Sequence, residues 1–305
     1  MELTRREFVA AGVASTLLAG VSWASEMERL PLAFSTLGCP AWDWKKVLDY
    51  AQGNGFAAVE LRGIMGKLDL PSLPEFAATQ IPETKKEVAD HGLKISDLGC
   101  SAEMHHAQPA ERAKQLGDAR KFIDLASALN VPYVRVFGNQ IHGPKEQVIA
   151  LVASGLHELG EHAGPRGVTV ILESHGDFVD SPTLKEVITR ANSKNVALLW
   201  DAHHTFVDGH EQPEETVSIL GPWIRHTHLK DSVPDGKGGR KYVMPGSGEV
   251  PMERQVLALR KIGYKGYYCF EWEKVWHPEI LDPEAVFPAY VKLVGGYLRE
   301  PLQNS

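Results

Sequence analysis

Short apolar runs alternate with longer amphipathic stretches along most of the chain, and this alternation identifies the predicted strands and helices. The apolar runs predict strands near residues 32–36, 57–61, 94–99, 132–137, 168–173, 196–201, 224–229 and 266–271. Between them, apolar positions at helical spacing predict helices at residues 42–52, 82–90, 110–129, 145–163, 183–191, 214–220, 252–262 and 283–298. Glycine or asparagine often closes such a helix just before the next strand. Eight strand-then-helix units in succession predict an α/β protein, a single (β/α)8 barrel of parallel strands over residues 30–300.

Four consecutive predicted strands, the fifth to the eighth, end in carboxylates or imidazoles. Their segments are ILESHGDF (171–178), VALLWDAHH (196–204), WIRHTHLKD (223–231) and GYYCFEWE (266–273). In a closed barrel these strand ends converge on one mouth, whereas in an open doubly wound sheet they would not all meet at one switch point. No G-x-G-x-x-G follows the first strand, so the sequence favours the barrel over the open sheet. The longest connections, roughly 62–80 and 230–250, are then loops at the catalytic face.

The last inward-facing residues of these four strands are Glu173, Asp201, His228 and Glu271. Three carboxylates at one barrel mouth repel each other strongly unless a cation lies among them. Oxygen ligands with one imidazole suit Mn, Mg, Co or Zn better than a thiolate-preferring metal, so the sequence predicts one divalent ion. The alternative is that the four residues form separate salt bridges with basic residues, namely Arg135, Lys230 or Lys274.

The seventh strand offers two histidines on one face, because Thr227 separates His226 from His228 and side chains alternate along a strand. We favour His228 as the ligand, since it lies nearer the carboxyl end of the strand. His226 is then one layer deeper, as a hydrogen-bonded core residue or a support for the ligands. Lys230 either points into the mouth as a substrate contact or is a solvated loop lysine.

Three further polar residues at predicted strand ends are candidates for substrate binding. His175 alternates onto the face of Glu173 and reaches a substrate hydroxyl, or it is simply a histidine in the following turn. Glu60 and Arg135 end the second and fourth strands and could bind polar substrate groups. An ion pair between Glu60 and Arg135 would explain both residues equally well.

These motifs resemble those of the xylose-isomerase-like barrel superfamily, which contains sugar epimerases, hydroxypyruvate isomerase and inosose dehydratase. The resemblance rests on ILESH, DAHH, HTHLKD and FEWE, and on PGSGEV (245–250) and GYKGY (263–267), and it spans about residues 30–300. It implies a TIM barrel whose metal ligands are Glu173, Asp201, His228 and Glu271. It also implies that His204, three residues after the aspartate, points at the substrate.

Such a site has a definite chemistry, because a divalent ion on a carbonyl and a neighbouring hydroxyl stabilises an enediolate. Glu173 and Glu271 would exchange protons with the substrate from different sides. Return of the proton to the same carbon is epimerisation, return to the adjacent carbon is isomerisation, and loss of a β-hydroxyl is dehydration. We favour a metal-dependent isomerase or epimerase of a sugar or keto-sugar. The alternatives are a dehydratase of a keto-polyol, like inosose dehydratase, and a non-catalytic sugar-binding barrel.

The amino-acid composition limits the classes of molecule that the protein is expected to bind. The chain of 305 residues is 43% hydrophobic and 23% charged, which is typical of a globular protein, and its formal net charge is -7. A broad cationic face for phosphates is therefore absent from the composition, and nucleic acid is not an expected partner. The expected partner is a small carbohydrate, and the sequence leaves open whether the chain forms a homo-oligomer. With only three cysteines, at most one disulfide could form.

The first 25 residues differ in kind from the rest of the chain. Arg5 and Arg6 precede a weakly apolar stretch at 9–21 and the small-residue ending SWA, which resembles a twin-arginine export signal. The stretch is too short and too rich in Gly, Ala and Ser for a membrane span, so none is expected after signal removal. We therefore expect export, to the periplasm, over the alternative of a short amphipathic helix.

Overall fold

The computed structural model describes residues 29–302, and eight of the ten strands within them form a closed barrel. The strands are β1 (Leu32–Ser35), β2 (Ala58–Leu61), β3 (Lys94–Glu103), β4 (Tyr133–Asn139), β5 (Thr169–Gly176), β6 (Val196–Asp201), β7 (Ile224–Leu229), β8 (Ser232–Pro234), β9 (Arg240–Tyr242) and β10 (Tyr268–Phe270). Around the barrel the order is β1-β10-β7-β6-β5-β4-β3-β2, with every neighbouring pair parallel. The predicted (β/α)8 barrel is confirmed.

Helices cover the outside of the barrel between successive strands. They are α1 (Trp44–Gly53), α2 (Ile81–Asp90), α3 (Pro109–Leu129), α4 (Lys145–Ala163), α5 (Ser181–Ala191), α6 (Ala202–Val207), α7 (Pro213–Leu220), α8 (Met252–Lys261) and α9 (Pro283–Arg299). Side-chain caps explain two of their starts, because Asp43 accepts from Lys46 N at 2.8 Å and Asp180 accepts from Thr183 N at 2.9 Å. Asn130, in the left-handed conformation, ends α3 as the sequence predicts.

An aromatic cluster joins the last helix to the barrel wall. The ring of Phe287 on α9 lies 4.6 Å from that of Phe34, 5.8 Å from Phe270 and 6.0 Å from Phe56, measured between centroids. All four rings are buried. Since large buried rings dominate the apolar area removed from water, this cluster holds α9 against β1 and β10 and so closes the barrel.

The barrel interior changes from apolar to polar along its axis. Residues near the amino ends of the strands pack as two small apolar clusters, one of Ala33, Ala58 and Cys269 and one of Ile171, Ala197 and Leu199. Two residues further along each strand the same inward face carries Glu60, Glu173 and Asp201, because side chains alternate with a period of two. The polar layer therefore lies at the carboxyl end of the barrel, where active sites of this fold form.

Three features depart from the sequence prediction, and all lie near this end. The connection 230–250 contains the antiparallel hairpin β8–β9, and the short helix α6 begins directly after β6. Strands β3, β4 and β5 continue past their predicted ends, with shifts in register. The extensions contain polar residues with irregular strand pairing, so they lack the apolar periodicity by which a strand is predicted from sequence.

The cysteines, membrane-spanning helices and the export signal were the other subjects of the sequence predictions. Cys39, Cys100 and Cys269 are buried with free thiols, so no disulfide links these three residues. Within residues 29–302 no helix is long and apolar enough to cross a membrane. The predicted export signal, residues 1–25, lies outside the described residues.

Candidate active site

The four strand-end residues Glu173, Asp201, His228 and Glu271 converge at the carboxyl end of the barrel. Each offers one ligand atom, and all four atoms lie within 4.8 Å of one another. The Nδ1 atom of His228 is 3.2 Å from Glu271 Oε1, 3.5 Å from Glu173 Oε1 and 3.8 Å from Asp201 Oδ2. All four side chains are buried. The cluster therefore has the donor set and the size of a divalent metal site.

A carboxylate beneath the cluster orients His228. Glu60 Oε2 lies 2.6 Å from His228 Nε2, and since a carboxylate only accepts, Nε2–H is the donor. This leaves Nδ1, with its lone pair, facing the three carboxylates, and Nδ1 has no hydrogen-bond partner among residues 29–302. A buried ring nitrogen that has no aligned hydrogen bond and faces three carboxylates is suited to bind a metal ion. Carboxylate–histidine pairs of this kind support metal ligands in many proteins.

The electrostatics of the cluster call for positive charge. Burial disfavours a charged imidazole, but Glu271, Glu60 and Glu173 outweigh it and hold the pKa of His228 well above its usual value. Burial likewise opposes ionisation of Glu173, but Arg135 and His228 lower the pKa of that carboxyl to about 2. Burial opposes ionisation of Glu271 too, but His228 and Lys230 lower the pKa of that carboxyl, so Glu173 and Glu271 both carry negative charge that a proton on His228 or a cation helps to balance.

Two basic residues supply part of that balance. Lys230 is buried, with Nζ 2.7 Å from Asp201 Oδ2 and 2.6 Å from Glu273 Oε1, and it also pairs with Glu271. Arg135 Nε lies 2.9 Å from Glu173 Oε2, although the two groups are not aligned as a hydrogen bond. The alternative of separate salt bridges is therefore partly realised, since Arg135 and Lys230 make such pairs. Lys274 pairs with Asp282 instead. These contacts coexist with the cluster and leave His228 Nδ1 unpaired.

The solvated-loop interpretation of Lys230 is excluded by its burial, and the proposed role of Glu60 needs correction. Glu60 is fully buried below the cluster, where Oε2 accepts from His226 Nε2 at 3.0 Å as well as from His228. It therefore does not contact the pocket, and it does not form the alternative ion pair with Arg135. His226 also lies 3.1 Å from Asp97 Oδ1, which makes it the deeper, hydrogen-bonded histidine that alternation predicts.

Above the cluster a cavity of about 220 Å³ opens toward solvent. Three of the predicted substrate contacts, Arg135, His175 and His204, line it together with Glu173 and Glu271. Its size is below the roughly 300–1,000 Å³ of sites for drug-sized ligands, so a monosaccharide fits it better than a longer sugar. Lys230 contacts Asp201 of the four-residue cluster without lining this cavity.

Hydrogen bonds hold the two pocket histidines in place. His175 Nδ1 lies 3.1 Å from Asn139 Oδ1, and burial lowers the pKa of this histidine. His204 stands on α6, where Nδ1 is 2.9 Å from Asp208 Oδ2. Asp201 caps that helix, because Oδ1 accepts from His204 N at 3.1 Å. The three-residue spacing between Asp201 and His204 therefore follows from one helical turn that starts at the strand end.

Several polar residues of this region are not anticipated from the sequence. Asp97 is the one with a readable signal, since it interrupts the apolar run of the third strand. Arg62 directly follows the second strand and lines the cavity. Glu103 and Asn139 also line it, from the irregular extensions of β3 and β4. Nothing in the local pattern of these last two residues marks them as site residues.

Known proteins share this barrel. Residues 48–289 match the family model described as xylose isomerase-like TIM barrel, and the chain belongs to that family. It is 24% identical to the inosose isomerase of Halalkalibacterium halodurans over 256 residues, covering 79% of this chain and 86% of the relative. It is 25% identical to the inosose dehydratase of Geobacillus thermodenitrificans over 230 residues, covering 65% and 75%.

A solved structure supports the same fold. The IOLI protein, described with a binding zinc atom, superposes with a TM-score of 0.75 at 20% sequence identity. The alignment covers 89% of this chain and 100% of the IOLI chain. At this level of identity the likeness concerns the fold.

Proposed function

We propose that the protein is a divalent-metal-dependent isomerase or epimerase of a sugar or keto-sugar that works through an enediolate. The observation that carries the proposal is the convergence of Glu173, Asp201, His228 and Glu271 below a monosaccharide-sized cavity, with His228 Nδ1 unpaired among the described residues. The inosose isomerase relative supports the substrate class.

The donor set fits one divalent ion, which we propose is Mn, Mg, Co or Zn. Glu173, Asp201, His228 and Glu271 would hold it. When bound, such an ion polarises a substrate carbonyl and acidifies the neighbouring carbon. The IOLI protein, described with zinc, is consistent with a metal in this family's barrel.

The chain's own residues then move the protons. Glu173 and Glu271 come from β5 and from the end of β10, which β6 and β7 separate, so they approach the cavity from different sides. Glu173 Oε2 forms an ion pair with Arg135 but accepts no aligned hydrogen bond from residues 29–302, and it would take the proton from the substrate carbon. In isomerisation the protonated Glu173 would return the same proton to the adjacent carbon. In epimerisation Glu271, whose Oε2 pairs with Lys230, would begin protonated and donate its proton from the other side, and both glutamates would regain their starting states by proton exchange with solvent. His204 and His175 would orient substrate hydroxyl groups.

The second candidate is a dehydratase of a keto-polyol. The inosose dehydratase relative favours it, and so does Lys230 beside Glu271, since an ammonium there could assist a departing hydroxyl. Both candidates share removal of a carbon-bound proton. Formation of an ultraviolet-absorbing enone from the substrate would distinguish dehydration from isomerisation.

Exchange of a carbon-bound hydrogen in deuterated water tests the shared step. We expect Glu173→Gln and Glu271→Gln each to slow exchange by about 10²–10⁴-fold, the usual contribution of general acid–base catalysis. His204→Ala should chiefly raise KM, because it orients the substrate without moving the proton. Near wild-type exchange in both glutamine variants would refute the mechanism. A barrel that binds sugar equally well in wild type and Glu173→Gln, without exchange in either, would be the non-catalytic module.

We also propose that residues 1–25 direct export to the periplasm as a separate signal, and that residues 30–300 form the catalytic domain. The support is the paired arginines before a weakly apolar stretch.

A further inference from the structure

Arg62 is a buried cation at the wall of the cavity, and the proposed proton transfer does not use it. It directly follows β2 and is 5% exposed, with its side chain lining the cavity. Its Nη2 donates to Ser101 Oγ at 2.8 Å and its Nη1 to Gly99 O at 3.4 Å, the latter a long contact. Within residues 29–302 no carboxylate lies within 4.0 Å of it. Burial of a charge without a partner is costly, so the group needs an explanation.

The backbone beside Arg62 is shaped to admit it. A Cβ atom on Gly99 would lie 2.6 Å from Arg62 Cδ, closer than real Cβ contacts come, and 3.0 Å from Arg135 Nη2, which is a tight contact. Glycine at this position of β3 therefore leaves room for two guanidinium groups side by side. Of these two, Arg135 is balanced by Glu173, whereas Arg62 is not. Burial and the charge of Arg135 lower the pKa of Arg62 to about 10, which still leaves it protonated at neutral pH.

The remaining acids of the cavity do not compensate Arg62. Glu173, Glu271 and Glu273 are farther than 4.0 Å from Arg62. Glu173 pairs with Arg135, and the other two glutamates pair with Lys230. Glu103 also lines the cavity, but its oxygens accept from Asn139 Nδ2 at 2.7 Å and lie 3.1 Å from His106 Nε2. The wall around Arg62 thus presents one uncompensated positive charge to whatever fills the cavity.

We propose that the substrate is a small keto-sugar acid whose carboxylate is bound by Arg62. A guanidinium has five N–H donors, and only two of those of Arg62 are engaged, so a bidentate contact is available. The inference rests on the proposed function, since it specifies the substrate class of the same cavity. The volume of about 220 Å³ favours a carboxylate over the larger phosphate ester.

Equilibrium binding to the full-length, metal-loaded protein tests this independently of turnover. The ligands are D-fructuronate and D-fructose, which differ in a terminal carboxylate or hydroxymethyl group, together with D-fructose 6-phosphate. Calorimetry should show the acid binding about 10- to 100-fold more tightly than the neutral sugar, as expected for a charge-assisted hydrogen bond. In Arg62→Gln this ratio should fall to near one, while Arg62→Lys should keep part of it. Arg190→Gln, on the outer helix α5 and paired with Glu146 and Glu186, is the matched control and should keep the wild-type ratio.

Several results would overturn the proposal. These are equal binding of acid and neutral sugar by the wild type, binding of neither, equal losses on both ligands in Arg62→Gln, or tighter binding of the phosphate than of the acid. Hydrogen exchange with the same ligands separates this from failure of the proposed function. A protein that prefers the acid but exchanges no hydrogen keeps the carboxylate site and loses the isomerase. A protein that exchanges hydrogen in D-fructose without preferring the acid would support the isomerase and refute the carboxylate site.

Discussion

Replacing Glu60 with glutamine keeps the shape of the group beneath His228 and removes its charge. In the structure one oxygen of Glu60 accepts from both His228 and His226, at 2.6 and 3.0 Å. Burial opposes ionisation of this carboxyl, but His228 and His226 lower its pKa well below its usual value. The variant therefore converts two charge-assisted hydrogen bonds into neutral ones, without opening a cavity.

The magnitude follows from these contacts. Hydrogen bonds to charged groups contribute about 1.5–3 kcal/mol and neutral ones about 0.5–1.5 kcal/mol, so weakening the bond to His228 costs on the order of 1–2 kcal/mol. Loss of a residue that supports a metal ligand typically lowers metal affinity by about 10–100-fold, which is of the same size. We therefore expect Glu60→Gln to bind its divalent ion about 10- to 100-fold more weakly.

The assay is competition for the metal with a chromophoric chelator, on protein whose near-ultraviolet circular dichroism shows that the fold is kept. Glu214→Gln is the control, because Glu214 is half-exposed and pairs with Arg254 on the outside of the barrel. It should leave the affinity unchanged. If Glu60→Gln binds the ion as tightly as the control while remaining folded, Glu60 does not hold His228 for the metal.

Three further outcomes are expected. Elemental analysis should find one divalent ion per chain in the wild type and none in the double variant Asp201→Ala, His228→Ala, and unchanged metal in that variant would contradict the assignment of these ligands. Phe287→Ala should lower the free energy of unfolding by about 3–5 kcal/mol, because its ring packs in the cluster that closes the barrel. A loss below about 1 kcal/mol in chemical denaturation would show that the site collapses or that the ring contributes little. Changing Arg5 and Arg6 to lysine should retain the protein in the cytoplasm, and unaltered cell fractionation would disprove the export signal.

The local pattern of hydrophobic and polar residues was sufficient to predict the (β/α)8 barrel. Buried parallel strands are continuous apolar runs, whereas the outer helices have apolar residues at helical spacing. The two patterns alternate along the chain and can be distinguished in the sequence. The four strand-end residues were equally legible, because Glu173, Asp201, His228 and Glu271 each end such a run. Closure of the barrel then brings together residues that lie as far apart in sequence as Glu173 and Glu271.

Only the tertiary structure decided what surrounds them. Glu60 is predicted from its strand to lie at the mouth, yet its carboxylate is buried across the barrel against His226 and His228, where it accepts hydrogen bonds. The burial of Lys230 against Asp201 depends on a neighbouring strand, so no local signal separates it from a solvated lysine. Arg62 is the clearest case. It has no carboxylate partner within residues 29–302, and this depends on which distant residues the fold places around it. Such long-range contacts leave no periodic pattern in the sequence.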